Sequence, residues 1–278
     1  MTIRITTLSE NTAALGDFLA EWGLSMLVET DDVVVLFDTG KGYSCVYNAD
    51  TLGIDLSKID KIVLSHGHFD HTGGLRDVLR RMKKRVEIIA HPDVWQLKYS
   101  QREGEEGRYI GIPYHRCELE SLGAVFVLTP EPVELSGSLT TTGEIPMITS
   151  YEKVDTALLV QDGSIRRPDQ LMDDQALIVK LPGGLIVILG CAHRGMINTL
   201  YHARSLTGRE KILAVVGGSH LVSASEEQLW QTIDALRELG VEKLALCHCT
   251  DLKAAGLLAQ EFGDSFLFNK AGTVVEFP

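Results

Sequence analysis

The run Lys61-Ile62-Val63-Leu64-Ser65 passes without a break into His66-Gly67-His68-Phe69-Asp70-His71 and then Thr72-Gly73-Gly74. A short apolar strand opening onto four ligand-type side chains within six residues narrows what this chain can fold into. The strand has to be buried to hold the loop rigid, and the loop has to aim imidazoles and a carboxylate inward. The glycines allow tight turning and close backbone approach. Three of the chain's nine histidines lie in this run, which a merely polar surface loop explains poorly.

The rest of the chain can supply such a scaffold. Its 278 residues are 45% hydrophobic and 23% charged, the balance of a soluble globular protein, and enough for one α/β domain or two small halves. A net charge of -12 repels a nucleic-acid backbone and an anionic membrane surface alike. The opening MTIRITTLSEN alternates like a strand and lacks the apolar core of a signal peptide. No stretch approaches the roughly 18 apolar residues of a membrane span. Five cysteines (Cys45, Cys117, Cys191, Cys247 and Cys249) show no framework spacing, so a reducing cytoplasm is the expected compartment.

Runs rich in Val, Ile and Leu predict strands at Ile3–Leu8, Ser25–Glu29, Val33–Asp38, Lys61–Leu64, Val86–Ala90 and Ala124–Leu128. They predict more at Ala157–Gln161, Ala176–Lys180, Leu185–Leu189, Ile212–Val216, Lys243–Cys247 and Thr273–Phe277. Helical periodicity fits Gly74–Lys84, with Thr72 as its N-cap, and Met196–Ser205, Glu226–Leu239 and Ala254–Phe262. Strands arrive in adjacent pairs before helices in both halves. That order predicts an αββα sandwich, two mixed β-sheets with helices on the outer faces, rather than one doubly wound sheet. The expected organisation is a single domain over 1–278, with loop excursions at about 92–122 and 129–172 that suit substrate contacts.

H-x-H-x-D-H after a short apolar strand resembles the signature of the metallo-β-lactamase superfamily. Further landmarks follow in order: Phe37-Asp38-Thr39-Gly40, Gly190-Cys191-Ala192-His193 and Cys247-His248-Cys249. The resemblance implies His66, His68 and His193 on one metal, and Asp70, His71 and His248 on the other. It makes Asp38 a residue beneath the metals that fixes the loop through hydrogen bonds. Family members place a bridging Asp where this chain reads Gly217-Gly218-Ser219-His220-Leu221. Three roles stay open for His220: a metal ligand, a group facing the substrate that stabilises developing negative charge, or a hydrogen-bonded support. In a strand direct neighbours point to opposite faces, so Cys247 and Cys249 are expected to pack in the core.

The resemblance further implies two divalent metal ions, with Zn²⁺ first and Fe or Mn accepting the same donors. A metal-activated hydroxide would attack a small, anionic substrate, and Asp70 would ligate and steer it or return a proton. Glu144, Asp174, Arg108, Tyr109 and Tyr114 are candidate substrate contacts, each also readable as a loop or turn residue. Segments such as Tyr109-Ile110-Gly111-Ile112-Pro113 and Asp173-Asp174-Gln175-Ala176-Leu177 resemble one subgroup. Its members are labelled as similar to 7,8-dihydropterin-6-methyl-4-(β-D-ribofuranosyl)aminobenzene-5′-phosphate synthase. A pterin- or ribosyl-phosphate-like substrate for a hydrolase is the resulting expectation. The alternatives are a transferase like that synthase, an iron-dependent redox enzyme, or a non-catalytic binding protein of the same fold. The diiron branch usually carries Glu where His68 stands, which favours hydrolysis. The expected partner is a small molecule, with no nucleic acid and no membrane, and a homo-oligomer is left open.

Overall fold

A computed structural model describes residues 2–278. The chain divides into two compact units. The first comprises the chain up to Pro130 with Val154–Asp173 and Lys270–Pro278, and the second comprises Glu131–Lys153 and Asp174–Asn269.

In the first unit the predicted apolar runs become strands β1 (Ile3–Ser9), β2 (Ser25–Glu29), β3 (Val34–Phe37), β4 (Lys61–Val63), β5 (Val86–Ala90), β8 (Ala124–Leu128) and β18 (Val274–Phe277). They form one mixed sheet in the order β18-β1-β2-β3-β4-β5-β8. Pairing is antiparallel from β18 to β3 and parallel from β3 to β8. Helices α1 (Ser44–Thr51), α3 (Leu75–Met82) and α4 (Arg116–Ser121) cover one face, where Val46, Leu75, Val78, Leu79 and Leu119 pack on Leu36, Ile62 and Ile88. Burial of such aliphatic side chains contributes about 1.5–3 kcal/mol each.

Thr72 does not cap α3. It lies in the one-turn helix α2 (Phe69–Thr72), and its hydroxyl donates to the His68 carbonyl at 2.9 Å. The histidine loop coils into that turn as soon as β4 ends. Residues 92–122 hold α4 and the strands β6 (Leu97–Ser100) and β7 (Arg108–Tyr109). With β11 (Leu158–Asp162) and β12 (Ile165–Pro168) these strands make a small sheet in the order β12-β11-β6-β7.

The second unit repeats the plan. Strands β9 (Glu134–Ser136), β10 (Leu139–Thr141), β13 (Ala176–Leu181), β14 (Gly184–Leu189), β15 (Ile212–Gly218), β16 (Lys243–Cys247) and β17 (Phe266–Phe268) form a sheet in the order β17-β16-β15-β14-β13-β10-β9. Strands β14 to β17 run parallel. Helices α5 (Met196–Thr207), α6 (Glu226–Glu238) and α7 (Asp251–Phe262) pack Ile197, Leu200, Ile233, Leu236 and Leu258 on Ile178, Val187, Val215 and Leu244. Ser225 caps α6 by accepting from Gln228 N–H, with Glu226 and Glu227 in the first turn where the helix dipole favours them.

Helix α5 is capped from a distance. Its entry residue Gly195 has φ +101°, and the Glu152 carboxylate sits against it. Glu152 accepts from the Ile197 and Asn198 amides, both at 2.8 Å. Glu152→Ala is expected to destabilise the protein by about 1–3 kcal/mol by leaving buried amide donors unmet. Glu152→Gln, which keeps an acceptor oxygen, should lose less. Urea unfolding of both variants beside the parent is the check, and equal loss in the two would count against a capping role.

Candidate metal centre

The ligand-type residues of the first unit follow the carboxyl ends of its parallel strands, where open α/β sheets gather their functional loops. Asp38 follows β3 directly and takes φ +59°, a left-handed conformation uncommon for a residue with a Cβ. Its carboxylate is fully buried. Oδ1 accepts the Ser65 amide at 2.7 Å, while Oδ2 accepts the Ser65 hydroxyl at 2.6 Å and faces His71 Nδ1 at 2.6 Å. With Ser65 Oγ donating to Asp38, its contact with His66 Nδ1 at 2.9 Å makes it the acceptor there. Both contacts put the ring proton on Nδ1 and leave Nε2 of His66 and His71 unprotonated, the form in which an imidazole can ligate a metal.

His66 Nε2 and His68 Nδ1 stand 2.9 Å apart. That is hydrogen-bond distance; two Zn–N bonds of 2.0–2.1 Å at a tetrahedral angle would set such nitrogens about 3.3 Å apart, so the pair would open by about 0.4 Å to grip one ion. The His66 and His71 rings lie 4.3 Å apart between centroids. Asp70 is buried, and its Oδ2 accepts from the Trp22 indole at 2.9 Å. Gly67 is needed between the two histidines, because a Cβ there would come within 2.3 Å of the Val94 carbonyl oxygen.

In the second unit the same rule applies at the ends of β14, β15 and β16. Cys191, His193 and His220 present ligand atoms within 4.8 Å of one another, and so do Cys191, His248 and Cys249. The His193 and His220 rings are 4.1 Å apart. Ala192, His220 and His248 all have positive φ (55°, 47° and 55°). The chain has therefore left extended geometry at each loop, and the alternation argument for the cysteines fails there. Cys249 does not simply pack away: its Sγ accepts the His220 amide at 3.2 Å and lies 3.5 Å from the Cys191 carbonyl. Cys247 does turn elsewhere, with Asn269 Nδ2 at 3.6 Å from its sulfur.

Two buried carboxylates hold these loops from behind. Asp173 accepts the Gly67 amide at 2.8 Å within the first unit. Asp174 accepts the Arg194 amide at 2.8 Å within the second. Asp174 thereby holds the loop that carries His193. Glu144 is exposed and, with Asp174, acts electrostatically on the buried Arg194 guanidinium.

Arg108 lies on β7 with its guanidinium 5.3 Å from the Phe69 ring centroid, and the Lys41 ammonium is 5.9 Å from the same ring. Two positive charges therefore flank the histidine loop. Tyr109 donates to the Ile112 carbonyl at 2.9 Å, and Tyr114 donates to the Gly73 carbonyl, with Arg76 over its ring at 4.3 Å. Both tyrosines line a groove of about 580 Å³ with Trp95 and Pro113.

Sequence reading missed Lys98. It is wholly buried, with Nζ 2.8 Å from both Asp169 and Asp173. Burial disfavours its charge, but the two carboxylates outweigh that and raise its pKa. Lys98 thereby fixes the carboxylate that holds Gly67. No sequence signal marks it, since a lysine in a short strand ordinarily reads as a surface residue.

A family model described as the metallo-beta-lactamase superfamily matches residues 23–248. This chain belongs to the metallo-β-lactamase superfamily. It is 33% identical to a Methanocaldococcus jannaschii protein named 7,8-dihydropterin-6-methyl-4-(beta-D-ribofuranosyl)-aminobenzene-5′-phosphate synthase, over 99% of this chain and 97% of that one. It is also similar to the crystal structure of Tm1679, described as a metal-dependent hydrolase of the beta-lactamase superfamily. That match has 31% identity and a TM-score of 0.86 and covers 99% of both chains. The superfamily's fold is this chain's fold, and each unit supplies one helix-covered mixed sheet to it.

Within this superfamily member, Lys98→Met is expected to destabilise by about 3–5 kcal/mol, because two buried carboxylates lose their counter-charge. Urea unfolding of the variant beside the parent checks this, and a loss below about 1 kcal/mol would count against a buried counter-charge.

Proposed function

We propose that this superfamily member is a metal-dependent hydrolase acting on a small anionic substrate of pterin- or ribosyl-phosphate type. We assign His66, His68, Asp70, His71, His193 and His248 as the ligands of two divalent ions, Zn²⁺ first and Fe or Mn next. The observation that carries this reading is the facing pair His66 Nε2 and His68 Nδ1 at 2.9 Å, with the tautomer of His66 set from behind through Ser65. Imidazole and carboxylate donors fit such ions.

Divalent ions held there would activate a water and polarise a substrate oxygen. The remaining work falls to the chain itself. Asp38 and Ser65 keep His66 and His71 in the tautomers that present Nε2. Trp22 fixes one oxygen of Asp70, and we assign Asp70 to ligate a metal or to return a proton to the leaving group. Arg108 and Lys41 beside Phe69 supply positive charge for an anionic substrate. Tyr109 and Tyr114 offer aromatic surface for a ring, and Glu144 an exposed hydrogen-bond acceptor. His220, its ring 4.1 Å from that of His193, is assigned here the stabilisation of developing negative charge. A small-molecule partner, rather than nucleic acid or membrane, follows from the net charge of -12. Among the described residues no helix is long and apolar enough to cross a membrane.

A synthase-type transfer on the same substrate class is the second reading, favoured by the full-length 33% identity to the archaeal synthase. The metal-loaded protein is to be incubated with ribosyl-phosphate esters, alone and with a dihydropterin carrying a leaving group on its 6-methyl carbon. Hydrolysis of the esters alone supports the first reading, and a condensation product formed only with both substrates supports the second.

His66→Ala should lose metal and activity together, since one of few nitrogen donors is gone. Asp38→Ala should cost about 10–100-fold in metal affinity or activity while retaining some metal. Metal analysis with Trp22 fluorescence as a titration signal measures both. A greater loss of metal in Asp38→Ala than in His66→Ala would reverse the assigned roles.

A further inference from the structure

The reading of the centre as all-imidazole and carboxylate leaves out the cysteines that stand beside its histidines. We propose that Cys191 is a thiolate donor to the metal centre on the second-unit side, joining the ligand His193. This rests on the metal reading above and changes its chemistry.

Cys191 is the shared member of both donor groups in the second unit. Its Sγ lies within 4.8 Å of ring nitrogens of His193 and His220, and in the other group of His248 and Cys249. It is 3% exposed, so the sulfur is directed into the protein beside those rings. The backbone accounts for the placement. Strand β14 ends at Leu189, Gly190 O accepts the Gly218 amide at 3.0 Å, and Ala192 turns left-handed at φ 55°. That register ties the 190–193 loop to the end of β15, next to the loop that carries His220. Gly218 leaves the room, since a Cβ there would come within 2.8 Å of Cys249 Sγ and 3.4 Å of Cys191 Cα.

Of the other cysteines, Cys249 is the partner of Cys191 in the second donor group. Cys249 Sγ takes the His220 amide and contacts the Cys191 carbonyl, bracing both loops. Cys247 contacts Asn269, Cys45 contacts the Ser25 hydroxyl at 3.3 Å, and Cys117 is exposed. Chemistry favours the assignment as well. The assigned ligands include one carboxylate, Asp70, against ions of charge +2 each. A thiolate adds a second negative charge and a soft donor that selects Zn²⁺ or Co²⁺ over Mn²⁺ or Mg²⁺.

The test uses the full chain loaded with Co²⁺. The parent should show a sulfur-to-cobalt charge-transfer band in the near ultraviolet. Cys191→Ser should abolish it while cobalt remains bound, and Cys117→Ser should keep it. Zinc-edge X-ray absorption of the parent needs no variant, and should show a sulfur at about 2.3 Å. Bound cobalt without the band, a band that survives Cys191→Ser, or a zinc shell of nitrogen and oxygen alone overturns the assignment and leaves the metal reading intact. A chain that takes up no cobalt or zinc overturns both.

Discussion

Asp38 puts a bare carboxylate where no water reaches it, in a backbone conformation that disfavours its own side chain. Burying such a charge is expensive unless it is met by good donors. It is met by the Ser65 amide, the Ser65 hydroxyl and His71. The consequence runs outward along the chain. Once Ser65 gives its proton to Asp38, its oxygen is left to accept from His66. One carboxylate therefore sets which nitrogen each of two histidines turns toward the centre. Strain of order 1–3 kcal/mol at a left-handed residue survives only where the surroundings over-determine it, and here three charge-assisted hydrogen bonds do so.

The same device recurs behind the loops that carry His66–His71 and His193. Asp173 takes the amide of Gly67, Asp174 that of Arg194, and Glu152 those of Ile197 and Asn198. In every case the acceptor is a buried carboxylate and the donor a backbone N–H one to five residues from a proposed ligand. Backbone donors have no rotamers to lose, so the loop is held at small entropic cost. Asp173 and Asp174 are neighbours in sequence but serve different units, which gives the pair two structural tasks that one polar turn would not need.

What could be read beforehand follows from how each feature advertises itself. Strands such as Val86–Ala90 and Lys243–Cys247 announce themselves by apolar, β-branched runs. The histidine run is legible because ligand types cluster within one loop. Strands β6 and β12 are not legible, being short and carrying Lys98, Arg166 and Arg167. Helix α1 is missed because its buried positions include Ser44 and Asn48, which blur an apolar stripe. Lys98 makes sense only through partners 71 and 75 residues away. Alternation of faces belongs to extended chain, and β14 and β16 have ended before Cys191 and Cys249, so Cys249 is buried as expected but for another reason.

Charge acts on two length scales here, and they select for size. The whole chain carries -12, a field that a long polyanion samples over many screening lengths and is repelled by. Screening at physiological salt extends only about 8 Å, so a small anion near the histidine loop responds mainly to its immediate surroundings. Those are Arg108 and Lys41, both packed on Phe69, a residue of the loop itself. The ring keeps two cations close to the proposed ligands without letting either one coordinate. If the proposed phosphate-bearing substrate binds there, it would meet these local cations, whereas a long polyanion would also sample the net charge of the whole chain.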